Sequence, residues 1–416
     1  MIRQLSFDET LRIKRLTTFE DILPDVNRIV EDVRVRGDEA LVEYCNRFGD
    51  LQAGDPLIIT KDELLDAARS LGESERAVLE RTVARIRHFA EAQRESIHNL
   101  SLAIEGGQAG HTILSLDSAA CYAPGGRYPL PSSVLMTAVT ARAAGVRSVW
   151  VISPRPSVHT LAAAAIAGAD ALLCAGGAQA IAAAAFGTES VPAFDIIVGP
   201  GNRWVTAAKQ RVAGHVKIDM LAGPSELIVV ADKSADPAVI AADLLAQAEH
   251  DPDALAVLIS LDKQLIEKVD SELIEQLALL PTKEIAGQAL SNGFAVFVNS
   301  IEEAVQLCNV LAPEHLSLQV ANPSVIREDL RNFGGLFIGH ISAEAFGDYG
   351  AGPNHVLPTH GSARLRGGLS VFDFLKINTW LEMSEPIPSL VTDDMIALAR
   401  MEGLEAHARS LSRRIV

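Results

Sequence analysis

From Ser132 onward, runs of apolar residues at helical spacing alternate with short continuous apolar runs bounded by Gly, Pro or Asp. Helices and buried parallel strands succeed one another in this way in α/β proteins. SSVLMTAVTARAAG predicts a helix closed by Gly145, VRSVWVIS a buried strand, VHTLAAAAIAGA a helix and ALLCA the next strand. A helix from Ala178, the strand FDIIVGP, the helix RWVTAAKQRVAG and the strand VKIDM complete one doubly wound unit. A second set follows: LIVVAD, the helix DPAVIAADLLAQAEH, ALAVLISLD, the acidic helix KQLIEKVDSELIEQLAL, FAVFVNS and GGLFIGH. The expected fold class is α/β, with two Rossmann-like doubly wound domains, a helical N-terminal segment and a small C-terminal helical arm.

The first 120 residues read as mostly helical. Val78, Leu79, Val83, Ile86 and Ala90 mark one apolar stripe, expected to pack on the second sheet. Near the end, Pro386 and Pro388 interrupt the chain before a final helix expected from about Asp393.

Composition narrows the class of protein. With 36 basic and 53 acidic residues among 416, the net charge is −17, which repels nucleic acid and anionic membrane surfaces. Apolar residues make up 48% and charged residues 21%, as in ordinary globular proteins of two to four domains at this length. The Ala-rich stretch from Thr160 to Thr188 carries Asp170 near its middle, so it predicts two buried helices around a strand, not a membrane span. MIRQLSFDETLRIKRL lacks a leader's apolar core, which points to the cytoplasm. Cys45, Cys121, Cys174 and Cys308 form no CxxC and read as small buried hydrophobes. Cys174, before GGAQA, is the one candidate nucleophile, although nothing nearby in sequence would activate it.

Polar residues form four candidate groups. Gln247 and His250, one turn apart, could grip a cation or cap a helix end. Asp348 and His355 stand in the Gly- and Pro-rich GDYGAGPNHVLPTHG, a binding loop or a solvated turn. In APEHLSLQV, Glu314 and His315 are adjacent, which suits a general base near neutral pH or an exposed ion pair. Glu402 and His407 lie about 140° apart on the expected last helix. The turns YAPGG, AGGAQA and VGPGN suit a ligand crossing the carboxyl edge of a sheet, but none is GxGxxG.

Taken in order, YAPGG, CAGGAQAIAAAAFGTESVP, VGPGN, DMLAGPSE, QAEHDP, APEHL, GDYGAGPNHVLPT and EGLEAHA resemble the histidinol dehydrogenase family over nearly the whole chain. The resemblance implies a zinc-dependent homodimer oxidising L-histidinol to L-histidine with two NAD. It implies Gln247, His250, Asp348 and His407 as ligands of one Zn²⁺ per subunit. It further implies His315 and Glu314 as the acid/base pair, Ser225, His355 and Glu402 as substrate contacts beside the ligands and His315, and Tyr122, Gln179 and Asn202 as NAD contacts. An intertwined dimer is implied, with the last helix completing the partner's site. The corresponding division is an N-terminal segment 1–20 packing with the arm, a first α/β domain of 21–120 and 226–376 bearing the metal and catalytic residues, an NAD-side domain 121–225, and a dimerisation arm 377–416. Arg127, Tyr128, His360, Arg364 and Arg366 depart from the commonest pattern and would suit an anionic alcohol such as a sulfonated diol. A scaffold protein without catalysis is the reading from another class, and the complete set of candidate residues argues against it.

Overall fold

The computed structural model describes residues 2–13, 19–52, 54–125, 129–384 and 386–414. Its strands, in chain order, are β1 (Arg3–Leu5), β2 (Ile58–Thr60), β3 (Leu100–Ile104), β4 (Gly107–Ser115), β5 (Ser118–Tyr122), β6 (Ser148–Ile152), β7 (Ala171–Leu173) and β8 (Ile196–Val198). There follow β9 (Lys217–Ile218), β10 (Glu226–Ala231), β11 (Leu255–Ser260), β12 (Phe294–Phe297), β13 (His315–Gln319), β14 (Gly335–Ile338) and β15 (Leu375–Met383). One sheet has the order β2-β7-β6-β5-β8-β9, parallel except for β2. The other has the order β1-β12-β11-β10-β13-β14 and is parallel throughout. The alternating helix and strand runs thus form two doubly wound α/β halves, as their periodicity dictates.

The helix Pro131–Ala143 is closed by Gly145, whose φ of +95° needs no Cβ. This helix is buried nearly all round because it lies between β5 and the long helix Glu73–Glu95. That contact corrects one expectation. The helices between residues 23 and 95 pack mainly on the 121–225 half, and from 226–376 they meet only its last stretch: Val26, Ile29, Val30, Leu41, Val83 and Ile86 share one core with Ala119, Cys121 and Val151 and with Val356, Val371 and Phe374. The Ala-rich helices Val158–Ala167 and Gly177–Phe186 supply the physical reason. Small side chains let the helices Leu23–Arg36, Asp38–Phe48 and Lys61–Ser70 approach closely, and apolar faces bury there.

The N-terminal segment is only partly helical. β1 pairs in parallel with β12, and the helix Phe7–Leu11, started by a Ser6–Glu9 capping box, packs on the helix Ile301–Leu311. It therefore extends the second sheet. A third, antiparallel sheet, β15-β4-β3, joins the C-terminal arm to the strands Leu100–Ser115, where a mostly helical region was expected. The arm ends in two helices, Ser389–Met401 and Glu405–Ser412, because Gly403 takes φ +76° between them. Glu402 and His407 therefore do not share one helix. Among the described residues no helix is long and apolar enough to cross a membrane.

Candidate active site

The halves face each other across a cleft of about 600 Å³, a size suited to a small ligand. From the first half come the segments just beyond the carboxyl ends of β5 and β8, namely Pro124 and Pro200–Asn202, together with Ser133. From the second come the amino ends of β10 and β13, with Ser225, Glu314 and His315, and the residues Gln247, His250, Asp348 and His355.

Glu314 and His315 are 5% and 4% exposed, which removes the exposed ion pair as a reading. Parallel pairing of β10 with β13 sets their partners. The Glu226 amide donates to Glu314 Oε2 at 2.8 Å, and the Glu226 carbonyl oxygen lies 2.9 Å from His315 Nδ1. A carbonyl only accepts, so Nδ1 carries the proton and Nε2 keeps its lone pair. Nε2 is buried with no hydrogen-bond partner among the described residues and stands 4.0 Å from Asp348 Oδ1. Burial draws the His315 pKa down to about 4, with Asp348 opposing and His250 and His355 adding to the shift. The ring is therefore neutral at pH 7 and ready to take a proton.

The carbonyl oxygen of Asp348, at the end of the short helix Glu344–Asp348, lies 3.1 Å from His355 Nδ1, and His355 Nε2 lies 3.3 Å from Ser133 Oγ. His355 thereby ties the two halves together at the cleft. Gln247 is buried on the helix Pro237–Ala248, whereas His250 falls just past its end. His250 Nε2 and Asp348 Oδ2 are 3.9 Å apart. Two ligands on a tetrahedral zinc stand roughly 3.4 Å apart, so these two donors fit such an ion in kind and spacing, and the Gln247 amide, which lines the same cleft with its Nε2 buried and unpartnered among the described residues, fits it in kind. The set is incomplete within one chain. His407 is exposed on the arm and does not line the cleft, nor does Glu402, and no group of three His, Cys, Asp or Glu among the described residues could hold a metal.

Asn202 lines the cleft and also caps the helix Arg203–Val212, accepting from the amides of Trp204 and Val205. Tyr122 and Gln179 are buried behind the turns. The Gly177 backbone holds the Tyr122 hydroxyl, and Gln179 Nε2 donates to Asp50 at 2.9 Å. Glu226 and Ser133 are site residues that the sequence pattern passed over. Glu226 was visible only as the last letter of LAGPSE, and Ser133 carried no signal. Arg364 donates to the Val310 carbonyl and Arg366 pairs with Asp373 at 2.7 Å, so neither lines the cleft. The His360 amide donates to the Glu226 carboxylate. Arg127 and Tyr128 lie outside the described residues.

Two doubly wound halves enclosing a neutral imidazole base and a buried carboxylate define an α/β enzyme of the dehydrogenase class. The sequence pattern of histidinol dehydrogenase matches residues 13–415. The chain is 48% identical to a histidinol dehydrogenase from Thermus thermophilus, over 99% of this chain and 96% of that one. It is 44% identical to a histidinol dehydrogenase from Methanopyrus kandleri, over 98% and 97%. A crystal structure of histidinol dehydrogenase from Elizabethkingia anophelis superposes with a TM-score of 0.93 at 31% identity, covering 99% and 98%. An acetylating aldehyde dehydrogenase from Geobacillus thermoglucosidasius, at a TM-score of 0.51 and 15% identity over 92% and 95%, shares the fold alone. This chain belongs to the histidinol dehydrogenase family, oxidoreductases of histidine biosynthesis.

Proposed function

We propose that this enzyme oxidises L-histidinol through the aldehyde to L-histidine, in two hydride transfers to NAD at one site with one zinc ion per subunit. The observation that carries this reading is the buried Glu314–His315 pair, with the His315 tautomer fixed by the Glu226 carbonyl. His315 Nε2 takes the hydroxyl proton as the carbinol hydride leaves for the nicotinamide. Glu314, its Oε2 held by the Glu226 amide, takes a proton from the water that adds to the aldehyde, and protonated His315 returns its proton to the aldehyde oxygen, which gives a neutral hydrate and frees Nε2 again. The hydrate then loses its second hydride to a second NAD, with His315 again receiving the hydroxyl proton.

Gln247, His250 and Asp348 would hold the zinc, with His407 from the arm of a second copy. When bound, the ion supplies a template that fixes the substrate's imidazole and amino nitrogens. Ser225, His355 and the partner copy's equivalent of Glu402 contact the substrate, and Tyr122, Gln179 and Asn202 serve NAD. The exposed apolar side chains of the arm, Met401 at 82% and Leu390 at 70%, support a homodimer in which the arm is covered. Four free, buried cysteines suit a reducing cytoplasm.

The test is NADH formation from L-histidinol, counted per alcohol consumed, before and after chelation and zinc addition. Two NADH per histidinol, lost on chelation and restored by zinc, is the expected result. No NADH from zinc-loaded enzyme would refute the reading.

A further inference from the structure

Behind the cleft lies a buried seam of polar side chains from three elements. Along β13 successive residues alternate between faces, so Leu316 and Leu318 join the core beneath the helix Ile301–Leu311, while His315, Ser317 and Gln319 face the other way. On that side, Gln319 Nε2 donates to Asp243 on the helix Pro237–Ala248 at 2.7 Å. Asp243 and Gln247 lie one helical turn apart, and so do Glu344 and Asp348 on their short helix. Gln247 and Asp348 reach the cleft. Asp243, half-buried, and Glu344, buried, lie one turn back from the cleft, and Asp243 is within electrostatic reach of Glu344.

Five atoms in this seam have no hydrogen-bond partner among the described residues: Gln247 Nε2, Ser317 Oγ, Gln319 Oε1 and both carboxyl oxygens of Glu344. Buried polar groups left unmatched are costly, so such a concentration calls for mutual or water-bridged pairing. Burial, with Asp348, Asp243 and Glu314 nearby, raises the Glu344 pKa well above the usual carboxyl range.

The two ends of the Gln247 amide differ chemically. Only its oxygen can ligate a cation, and its NH₂ must find an acceptor elsewhere. We propose that Glu344 is a positioning residue for Gln247: the two make no direct hydrogen bond, and a water in the seam passes the Gln247 Nε2–H to the Glu344 carboxyl and keeps the amide oxygen turned toward the metal. This rests on the reading of Gln247 as a zinc ligand. It makes Glu344 an outer partner whose removal weakens zinc binding without touching the ion.

The experiment is zinc affinity by chelator competition on the full-length enzyme, with the melting temperature of the zinc-free protein measured alongside. Glu344→Gln, still able to accept and donate, binds zinc within about threefold of wild type. Glu344→Leu and Glu344→Met bind about 10- to 100-fold more weakly. A merely structural role would lower the zinc-free melting temperature and leave the affinity unmoved. The proposal is overturned if the folded Leu or Met variant holds zinc as tightly as wild type, or if Glu344→Gln weakens it as much as they do. If neither apolar variant folds, Glu344→Gln decides, with near wild-type affinity supporting the proposal and a tenfold loss overturning it. Gln247→Ala separates the two layers, because unchanged zinc affinity in that variant overturns the ligand reading itself.

Discussion

At the scale of single residues, chemistry here follows from what surrounds a side chain. His315 is an ordinary imidazole made into a neutral base by burial and by one carbonyl oxygen. Cys174 is the contrary case. Its position before a Gly-rich turn suits a nucleophile, yet burial pushes its thiol up to about 12. At pH 8 roughly one thiol in ten thousand would be ionised, too few for attack on an aldehyde. Iodoacetamide at pH 8 is expected to leave the native enzyme unmodified and fully active. Alkylation of Cys174 with loss of turnover would show that the thiol takes part. The adjacency of Glu314 and His315 was legible in the sequence, but Glu226, whose backbone fixes both, was not, because its role depends on β10 lying beside β13.

At the scale of elements, the turn VGPGN is held by a device that no local pattern announces. Lys209, on the helix that Asn202 caps, forms an ion pair with Asp219, and both side chains are almost wholly buried. Lys209 Nζ donates to the Gly199 carbonyl at 3.0 Å, and the Gly199 amide donates to Asp219 at 2.6 Å. The pair grips both polar groups of one glycine and so fixes the turn that presents Asn202. Lys209→Met leaves Asp219 buried and unpaired, so it is expected to cost about 3–5 kcal/mol in urea unfolding. Lys209→Met combined with Asp219→Asn should recover part of that loss. A single variant within about 1 kcal/mol of wild type would mean that the pair does not anchor the turn. Apolar period predicted these helices and strands well, whereas the strands Leu100–Ser115 escaped it because their exposed faces carry apolar residues such as Leu102.

At the scale of the whole molecule, the proposed dimer would share each site between copies. Each chain carries Glu402 and His407 on an exposed arm outside its own cleft. His315→Asn and His407→Ala are each expected to be inactive alone. In an isologous dimer with exchanged arms, unfolding them together and refolding should pair an intact cleft with an intact arm in one site of each mixed dimer. Activity of about one quarter of wild type is expected from random pairing. A mixture that stays inactive, while refolded wild type recovers, would refute the exchange of arms.

The sequence by itself determined the periodicity of the two α/β halves and the ordered motifs that mark the family, because both are properties of residues close together in the chain. It also determined which donors and acids are available. Tertiary structure decided which sheet the N-terminal helices cover, since Leu23–Arg36 and Glu73–Glu95 have apolar faces that would suit either core. It decided the protonation state of His315 as well, because burial and the Glu226 carbonyl are supplied by strands that lie far apart in sequence and meet only in the folded sheet.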